Sequence, residues 1–173
     1  MGLITTGKYS YGNPERRGDM NNVTIGNFCS FAGGVVLDGG FQHNMKSIST
    51  YPFPTNFPDC GHLNGHVVCK GDINIGSDVW IGEQAVIMSG VTIGHGAVIG
   101  LRSVISKNVL PYEVVAGAPQ KHIRFRFTLE EISMLMEIKW WDWPDHQIKE
   151  IAPLLMSNNI IGLYNYANGL KAN

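Results

Sequence analysis

The chain has 173 residues, of which 44% are hydrophobic and 16% are charged, with 13 Lys and Arg against 14 Asp and Glu. This length suits one domain with an apolar core, and a net charge of −1 excludes nucleic-acid binding driven by charge. The chain shows no signal peptide, no run of the ~18–20 apolar residues that cross a bilayer and no CxxC motif among its three cysteines. We therefore expect a soluble cytoplasmic protein without membrane or nucleic-acid partners.

A six-residue spacing of apolar residues begins near the N-terminus. Ile25, Phe31 and Leu37 stand six positions apart, and residues 6–10 are predicted to form one further step. A period of six matches neither the 3.6-residue period of a helix nor the two-residue alternation of a plain strand. It is typical of a hexapeptide solenoid, in which each step forms one face of a parallel β-helix.

The period is interrupted after Asp38. The repeat resumes in a different frame at Cys69, which is predicted to lie in the core and stands six residues before Ile75. Cys69 is 32 residues after Leu37, which is not a multiple of six. The intervening segment has three prolines and little periodicity. We predict an excursion loop over about residues 38–66, and loops of this length in compact domains are usually functional.

The repeat is strongest in the middle of the chain. Isoleucine recurs in unbroken register at Ile75, Ile81, Ile87, Ile93, Ile99 and Ile105. Glycine follows four of these six isoleucines, as expected where a coil turns a tight corner. The pattern predicts an all-β solenoid with its isoleucines pointing inward.

Helices are predicted after the repeat ends near Pro111. Thr128 and Glu131 have the spacing of a capping box and start a helix with an apolar face. Further helices are predicted at about 145–157 and 160–170. These helices can cover the open end of the solenoid, whose strand edges and apolar core would otherwise face water.

Together, the hexapeptide register and the motifs His43, STYPF, DVWIG, GAP and KWWDW resemble the hexapeptide-repeat acyltransferases. The resemblance is narrowest to the xenobiotic acetyltransferase branch, which includes streptogramin A and hexapeptide-type chloramphenicol acetyltransferases and related sugar O-acetyltransferases. It implies a left-handed parallel β-helix over residues 1–119 with a C-terminal helical extension over 120–173. It also implies a homotrimer that binds acetyl-CoA in clefts between subunits.

The same resemblance implies the roles of individual residues. His43, which opens the excursion loop, matches the general base that takes the proton from an acceptor hydroxyl before direct acetyl transfer, and a neutral imidazole suits that role. Tyr11 and Trp80 match residues of the acceptor pocket. The residues expected to contact acetyl-CoA are Gly100, Arg102, Lys107, Ala118, Lys121 and Arg124. No metal is expected.

The sequence leaves the acceptor open. The segment 12–19 is polar, the N-terminal extension typical of the antibiotic-modifying enzymes is missing, and the excursion loop is short. A sugar or sugar-like hydroxyl is therefore preferred, with a streptogramin A or chloramphenicol type of acceptor as the alternative. A further alternative is a zinc protein similar to the γ-class carbonic anhydrases, with His43, His62 and His66 as ligands.

Overall fold

The structure is a computed structural model that describes residues 2–40 and 42–171. The strands are β1 (Ile4–Thr6), β2 (Glu15–Arg17), β3 (Val23–Ile25), β4 (Ser30–Phe31), β5 (Val36–Asp38), β6 (Gln42–His43), β7 (Val67–Val68), β8 (Ile73–Ile75), β9 (Trp80–Ile81), β10 (Val86–Ile87), β11 (Thr92–Ile93), β12 (Val98–Ile99), β13 (Val104–Ile105), β14 (Glu113–Ala116) and β15 (Lys121–Phe125). The α-helices are α1 (Phe53–Asn56), α2 (Leu129–Ile138), α3 (Asp145–Leu155) and α4 (Ile160–Lys171). Short 3₁₀ turns cover Pro58–Cys60 and Trp140–Asp142.

Three sheets form the three sides of a coil. Face 1 has the strand order β1-β3-β8-β11, face 2 has β15-β14-β12-β9-β4, and face 3 has β13-β10-β5-β2. The chain visits faces 1, 2 and 3 in turn, so that Trp80 pairs in parallel with Val98 and Val86 with Val104, each 18 residues later. Eighteen residues are three steps of six, which confirms the predicted repeat.

The isoleucines of the repeat fill the inside of the coil. Ile81, Ile87 and Ile99 are each 0% exposed, and they pack with residues of neighbouring coils in one continuous apolar cluster. Corner glycines let the coils stack closely, since a Cβ placed on Gly76 would lie 2.7 Å from the backbone nitrogen of His95. The coil also includes β1, so one further step precedes Ile25 as predicted. Its strand is Ile4–Thr6, however, and most of the predicted segment 6–10 forms the corner after that strand.

The excursion leaves the coil after β5 and rejoins it at β8. At its base β6 and β7 form an antiparallel ribbon, and α1 and the Pro58–Cys60 turn lie between them. The coil therefore resumes at Ile73, later than the predicted boundary at residue 66. The core position predicted for Cys69 is wrong, because Cys69 is only partly buried and lies outside the core cluster.

The C-terminal part begins with a strand that the sequence did not indicate. β15 runs antiparallel to β14 and extends face 2. The predicted capping box is confirmed at α2, where Thr128 and Glu131 cap each other's backbone. Together with Phe28 and Tyr112 from the coil, the C-terminal helices enclose Trp141 in a second apolar cluster. Among the described residues, no helix is long and apolar enough to cross a membrane.

Candidate active site

His43 lies at the root of the excursion with one ring nitrogen fixed. β6 places its backbone opposite Val67, and its Nδ1 is 2.6 Å from the carbonyl oxygen of Thr50. A backbone carbonyl can only accept a hydrogen bond, so Nδ1 carries a proton and donates a hydrogen bond to the Thr50 carbonyl. The Nε2 atom of this tautomer then has a free lone pair. His43 is exposed, so this lone pair can reach a ligand.

An aromatic cluster follows directly after Thr50 in the excursion. The rings of Tyr51 and Phe53 are 5.1 Å apart, and those of Phe53 and Phe57 are 5.5 Å apart. All three side chains are 40–48% exposed, so about half of this apolar surface faces outward. The excursion thus presents an aromatic surface on the segment that orients His43.

Tyr11 and Trp80 share the outer side of face 2. Ser30 is bridged to Tyr11 on one side and pairs with Trp80 on the other, so the three residues form one column across the sheet. The column continues through Val98 and Val114. Side chains at paired positions point to the same side of a sheet. The side chains of Tyr11 and Trp80 are 66% and 56% exposed.

Within one chain, His43 and Trp80 lie on different sides of the coil. The excursion that carries His43 starts from β5 on face 3 and returns to β8 on face 1. It therefore emerges at the corner between faces 3 and 1, which is opposite face 2 in a triangular coil. A site that uses both side chains needs a second copy of the chain.

The residues expected to contact acetyl-CoA gather near the C-terminal end of the coil. Gly100 and Arg102 lie at the corner between faces 2 and 3, and on the next coil Gly117 hydrogen-bonds Ser103 and Val104 at this corner. Ala118 follows Gly117, and Lys121 begins β15 opposite Ala116. Arg124 lies opposite Val114 on face 2, at the end of the column that contains Trp80.

The side chain of Gln120 holds the backbone of Lys107 close to the other residues expected to contact acetyl-CoA. Its Oε1 accepts hydrogen bonds from the backbone of Ser106 at 2.7 Å and of Lys107 at 2.9 Å. Lys107, Lys121 and Arg124 are exposed and form no ion pair with a carboxylate in the part of the chain that the structure describes. These three cations are therefore available to the phosphate groups of a ligand.

Two residues of the group have structural contacts of their own. A Cβ on Gly100 would lie 2.7 Å from the Cβ of Ala116, so close packing of the coils accounts for this glycine. Arg102 donates from Nε to Oε1 of Gln84 at 2.9 Å, which holds its side chain along the corner. Arg126, another basic residue of this segment, pairs with Asp78 and donates to the carbonyl of Gly96, so its charge has a carboxylate partner within the chain.

Comparison with known proteins identifies the family. The model described as bacterial transferase hexapeptide (six repeats) matches residues 72–107. A chloramphenicol acetyltransferase of Escherichia coli is 45% identical over 160 residues, which cover 90% of this chain and 76% of that protein. The chain belongs to the hexapeptide-repeat acetyltransferases. It is thus an acyltransferase whose donor is acetyl-CoA, as the sequence motifs predicted.

Two solved structures of acetyltransferases share the fold. A hexapeptide-repeat acetyltransferase of Vibrio cholerae O1 biovar eltor, complexed with acetyl coenzyme A, is 26% identical with a TM-score of 0.56. A maltose O-acetyltransferase from Clostridium difficile 630 is 26% identical with a TM-score of 0.55. Each match covers 72% of this chain, and the chain spans 61% and 60% of those two proteins.

The histidines of this acetyltransferase do not assemble into a metal site within the described residues. No three His, Cys, Asp or Glu side chains there are grouped as metal ligands would be. His66 instead contacts the Thr55 hydroxyl through Nε2 at 3.3 Å, and its backbone carbonyl accepts from Asn44 at 3.1 Å. The zinc alternative therefore has no ligand set in this structure.

Several site features of this acetyltransferase were missed by the sequence analysis. The Thr50 carbonyl that orients His43 belongs to the backbone and leaves no residue-type signal. The sequence did indicate Tyr51, Phe53 and Phe57 as apolar residues of the excursion, but it did not show that their rings contact one another. Gln120 could have been noticed, because a side-chain amide after the coil can hydrogen-bond backbone groups that have no strand partner.

Proposed function

We propose that the chain transfers an acetyl group from acetyl-CoA to a hydroxyl of a small acceptor, with His43 as the general base. The observation that carries this proposal is the hydrogen bond from Nδ1 of His43 to the Thr50 carbonyl. It holds the imidazole in the tautomer whose Nε2 accepts a proton, and it fixes the direction of that lone pair. General base catalysis of this kind typically contributes ~10²–10⁴-fold to the rate.

The reaction proceeds by direct transfer. Nε2 of His43 removes the hydroxyl proton while the acceptor oxygen attacks the thioester carbonyl carbon. The C–S bond then breaks, and the proton held by His43 passes to the departing thiolate. The products are the acetyl ester of the acceptor and free coenzyme A, and His43 returns to its starting tautomer. The cations Lys107, Lys121 and Arg124 bind the phosphates of the donor.

We infer that the active enzyme is a homotrimer of left-handed coils. The position of His43 and Trp80 on opposite sides of one chain supports this inference, since acetyl transfer that uses both requires His43 of one subunit and Trp80 of another. The exposed aromatic cluster Tyr51, Phe53 and Phe57 supports it as well, because exposed apolar patches mark interfaces and ligand grooves.

For the acceptor, a chloramphenicol-type antibiotic is the first candidate. The Escherichia coli relative, 45% identical, is named a chloramphenicol acetyltransferase. The aromatic cluster beside His43 supports the same choice, because an aromatic acceptor can stack on Tyr51, Phe53 or Phe57 while it presents a hydroxyl to Nε2.

A sugar hydroxyl is the second candidate. The neighbour of known structure named as a maltose O-acetyltransferase favours it, as does the polar segment 12–19 next to Tyr11, which the sequence analysis singled out. Polar hydroxyl-rich acceptors need several hydrogen-bonding groups in the pocket. Asn13 lies in that segment, in a small cleft that also contains Tyr11.

The test is release of the coenzyme A thiol from acetyl-CoA across a panel of acceptors. The panel contains chloramphenicol, virginiamycin M, maltose and free hexoses. His43→Ala should lower kcat by ~10²–10⁴ with every accepted substrate. His62→Ala, a change of the same type in the same excursion, should leave kcat unchanged. A fall of less than threefold in His43→Ala would refute the role of His43 as the base.

Mixing of inactive variants tests whether the site is shared between subunits. Trp80→Ala and His43→Ala chains are expressed separately and together. In randomly mixed trimers about a quarter of the interfaces combine an intact His43 with an intact Trp80, so activity should return to about that fraction. Sedimentation of the wild type should show three chains per particle. Mixtures no more active than the separate variants would place the whole site within one chain.

A further inference from the structure

The chain turns back on itself directly after His43. The β6–β7 ribbon ends at His43, and one residue further the backbone nitrogen of Asn44 still donates to the carbonyl of His66 at 3.1 Å. The chain then returns, so that the Thr50 carbonyl lies 2.6 Å from Nδ1 of His43. The orientation of the His43 ring therefore depends on the path of residues 44–50.

Asn44 forms the turn that brings the chain back. Its Oδ1 accepts a hydrogen bond from the backbone nitrogen of Lys46 at 3.0 Å, and its backbone carbonyl accepts one from the nitrogen of Ser47 at 3.3 Å. An asparagine side chain that bonds the backbone two residues further along forms an Asx turn. This turn directs the chain toward His43 again, where Thr50 meets the ring.

The other end of the same side chain holds the opposite strand. Nδ2 of Asn44 donates to the Gly65 carbonyl at 3.0 Å. A backbone N–H only donates and a carbonyl only accepts, so the partners at Lys46 and Gly65 fix which end of the amide is the oxygen. Asn44 therefore uses both backbone groups and both ends of its side chain to join the turn to the segment that leads into β7.

Apolar packing does not hold this turn in place. Residues 45–50 are exposed, and of the two apolar side chains among them Met45 is 86% exposed and Ile48 is fully exposed. A segment with few buried apolar contacts opens easily. Its conformation therefore depends on the hydrogen bonds of Asn44 and on the contact between Thr50 and His43.

We propose that Asn44 is a positioning residue for acetyl transfer, because it sets the path that brings the Thr50 carbonyl to Nδ1 of His43. This inference rests on the proposed function, in which His43 is the general base. Asn44 acts through His43 and not on the substrate. Without its hydrogen bonds the Thr50 carbonyl moves, the ring loses its fixed tautomer, and Nε2 less often presents a lone pair to the acceptor hydroxyl.

The tautomer of the His43 ring tests this inference without any acetyl transfer. Nitrogen NMR of protein with isotope-labelled histidine is recorded at about pH 8, where an ordinary imidazole is neutral. The His43 signals are assigned by their absence in His43→Ala. The wild type should carry the proton on Nδ1, and Asn44→Ala should show a mixture of the two tautomers.

Kinetics test the effect on the reaction. Asn44→Ala should lower kcat about tenfold, the effect of losing one or two hydrogen bonds, and should leave KM for acetyl-CoA unchanged. Asn44→Asp keeps the acceptor of the turn but cannot donate to the Gly65 carbonyl, so it should also lower kcat. The control Asn64→Ala, whose amide bonds the His62 carbonyl two residues away at 3.4 Å, should keep the wild-type kcat and tautomer.

A double variant shows whether Asn44 acts through His43. In the His43→Ala background, Asn44→Ala should lower the remaining kcat no further, since the two residues act as a unit. Circular dichroism and sedimentation of each variant confirm its folding and assembly, and Asn44→Asp serves in place of Asn44→Ala if the latter does not fold.

Three outcomes would overturn the inference. They are an unaltered tautomer in the Asn44 variants, an unaltered kcat in these variants, and an equal fall of kcat with and without His43. Failure of the proposed function looks different. In that case His43→Ala would keep its kcat, while the tautomer of the ring would still respond to Asn44.

Discussion

Gly96→Ala should destabilise the protein by more than a loop glycine substitution does. Gly96 has φ +68°, and a Cβ built on it would lie 2.5 Å from Cδ1 of Tyr112. Carbon atoms in contact normally sit ~3.5–4.0 Å apart, so the Tyr112 ring would have to move by about 1 Å or more. That ring is 1% exposed and packs against Arg126 and Phe127, which leaves it little room to move.

The expected magnitude combines a backbone and a packing cost. A non-glycine residue in the left-handed region costs ~1–2 kcal/mol, and alanine recovers ~0.4–1 kcal/mol by restricting the unfolded chain. Overpacking a well-filled site costs ~1–3 kcal/mol. Together these give a loss of about 2–4 kcal/mol for Gly96→Ala.

Thermal unfolding with a matched control separates the two costs. Gly65→Ala has a similar backbone requirement, with φ +82°, but a Cβ there has nothing within 4 Å. Since 1 kcal/mol corresponds to ~2–4 °C for a chain of this size, Gly65→Ala should melt ~2–4 °C lower and Gly96→Ala ~5–15 °C lower. Equal melting temperatures of the two variants would refute the packing argument and the position of the Tyr112 ring.

Three further predictions concern the core, the donor site and the pH dependence of stability. Ile87→Asp should prevent folding, because a charge buried without a partner costs several kcal/mol and Ile87 is 0% exposed. Lys121→Ala should raise KM for acetyl-CoA by ~1.5–5-fold with kcat nearly unchanged, and less so at high salt, since an exposed contact to a phosphate contributes equally to the ground and transition states. Burial lowers the pKa of His95, whose Nδ1 accepts from the Ser77 backbone at 2.8 Å. The neutral form is therefore favoured by folding, so the free energy of unfolding should fall as pH drops below ~6.5, and His95→Asn should flatten that fall.

Matched variants control these predictions. Ile161→Asp, at a position 64% exposed on α4, should fold normally. Lys46→Ala, on the excursion, should not change KM for acetyl-CoA. His62→Asn should keep the pH profile of the wild type in urea unfolding. A folded Ile87→Asp protein would show that the inward register is wrong. An unchanged KM for acetyl-CoA in Lys121→Ala would mean that Lys121 is a solvated surface charge. If His95→Asn left the pH dependence of unfolding unaltered, His95 would not be the cause of the loss of stability in acid.

The sequence alone was sufficient for the coil and its period. The inward position of Ile75 or Ile99 depends only on spacing, because a step of six places equivalent residues on successive faces of a three-sided coil. The capping box of Thr128 and Glu131 is equally local, since its hydrogen bonds span three residues. Motif resemblance also selected His43 within a loop that has no periodicity.

The sequence could not predict the contacts that join distant parts of the chain. Ser30 pairs with Trp80 across the excursion, 50 residues apart, and the aromatic stack of His95 on Trp141, with ring centres 4.7 Å apart, joins the coil to the C-terminal part. The prediction that Cys69 lies in the core was wrong because the excursion continues until β8 begins at Ile73. No spacing rule covers such an insertion.

Only the tertiary structure decided which side chains meet. It placed His43 and Trp80 on opposite sides of the coil, and it brought Asp78, Arg126 and Tyr112 together around a cavity. The physical reason is that local periodicity determines whether a residue points inward or outward. The stacking of coils and the docking of the helices determine its neighbours, and these depend on packing over the whole chain.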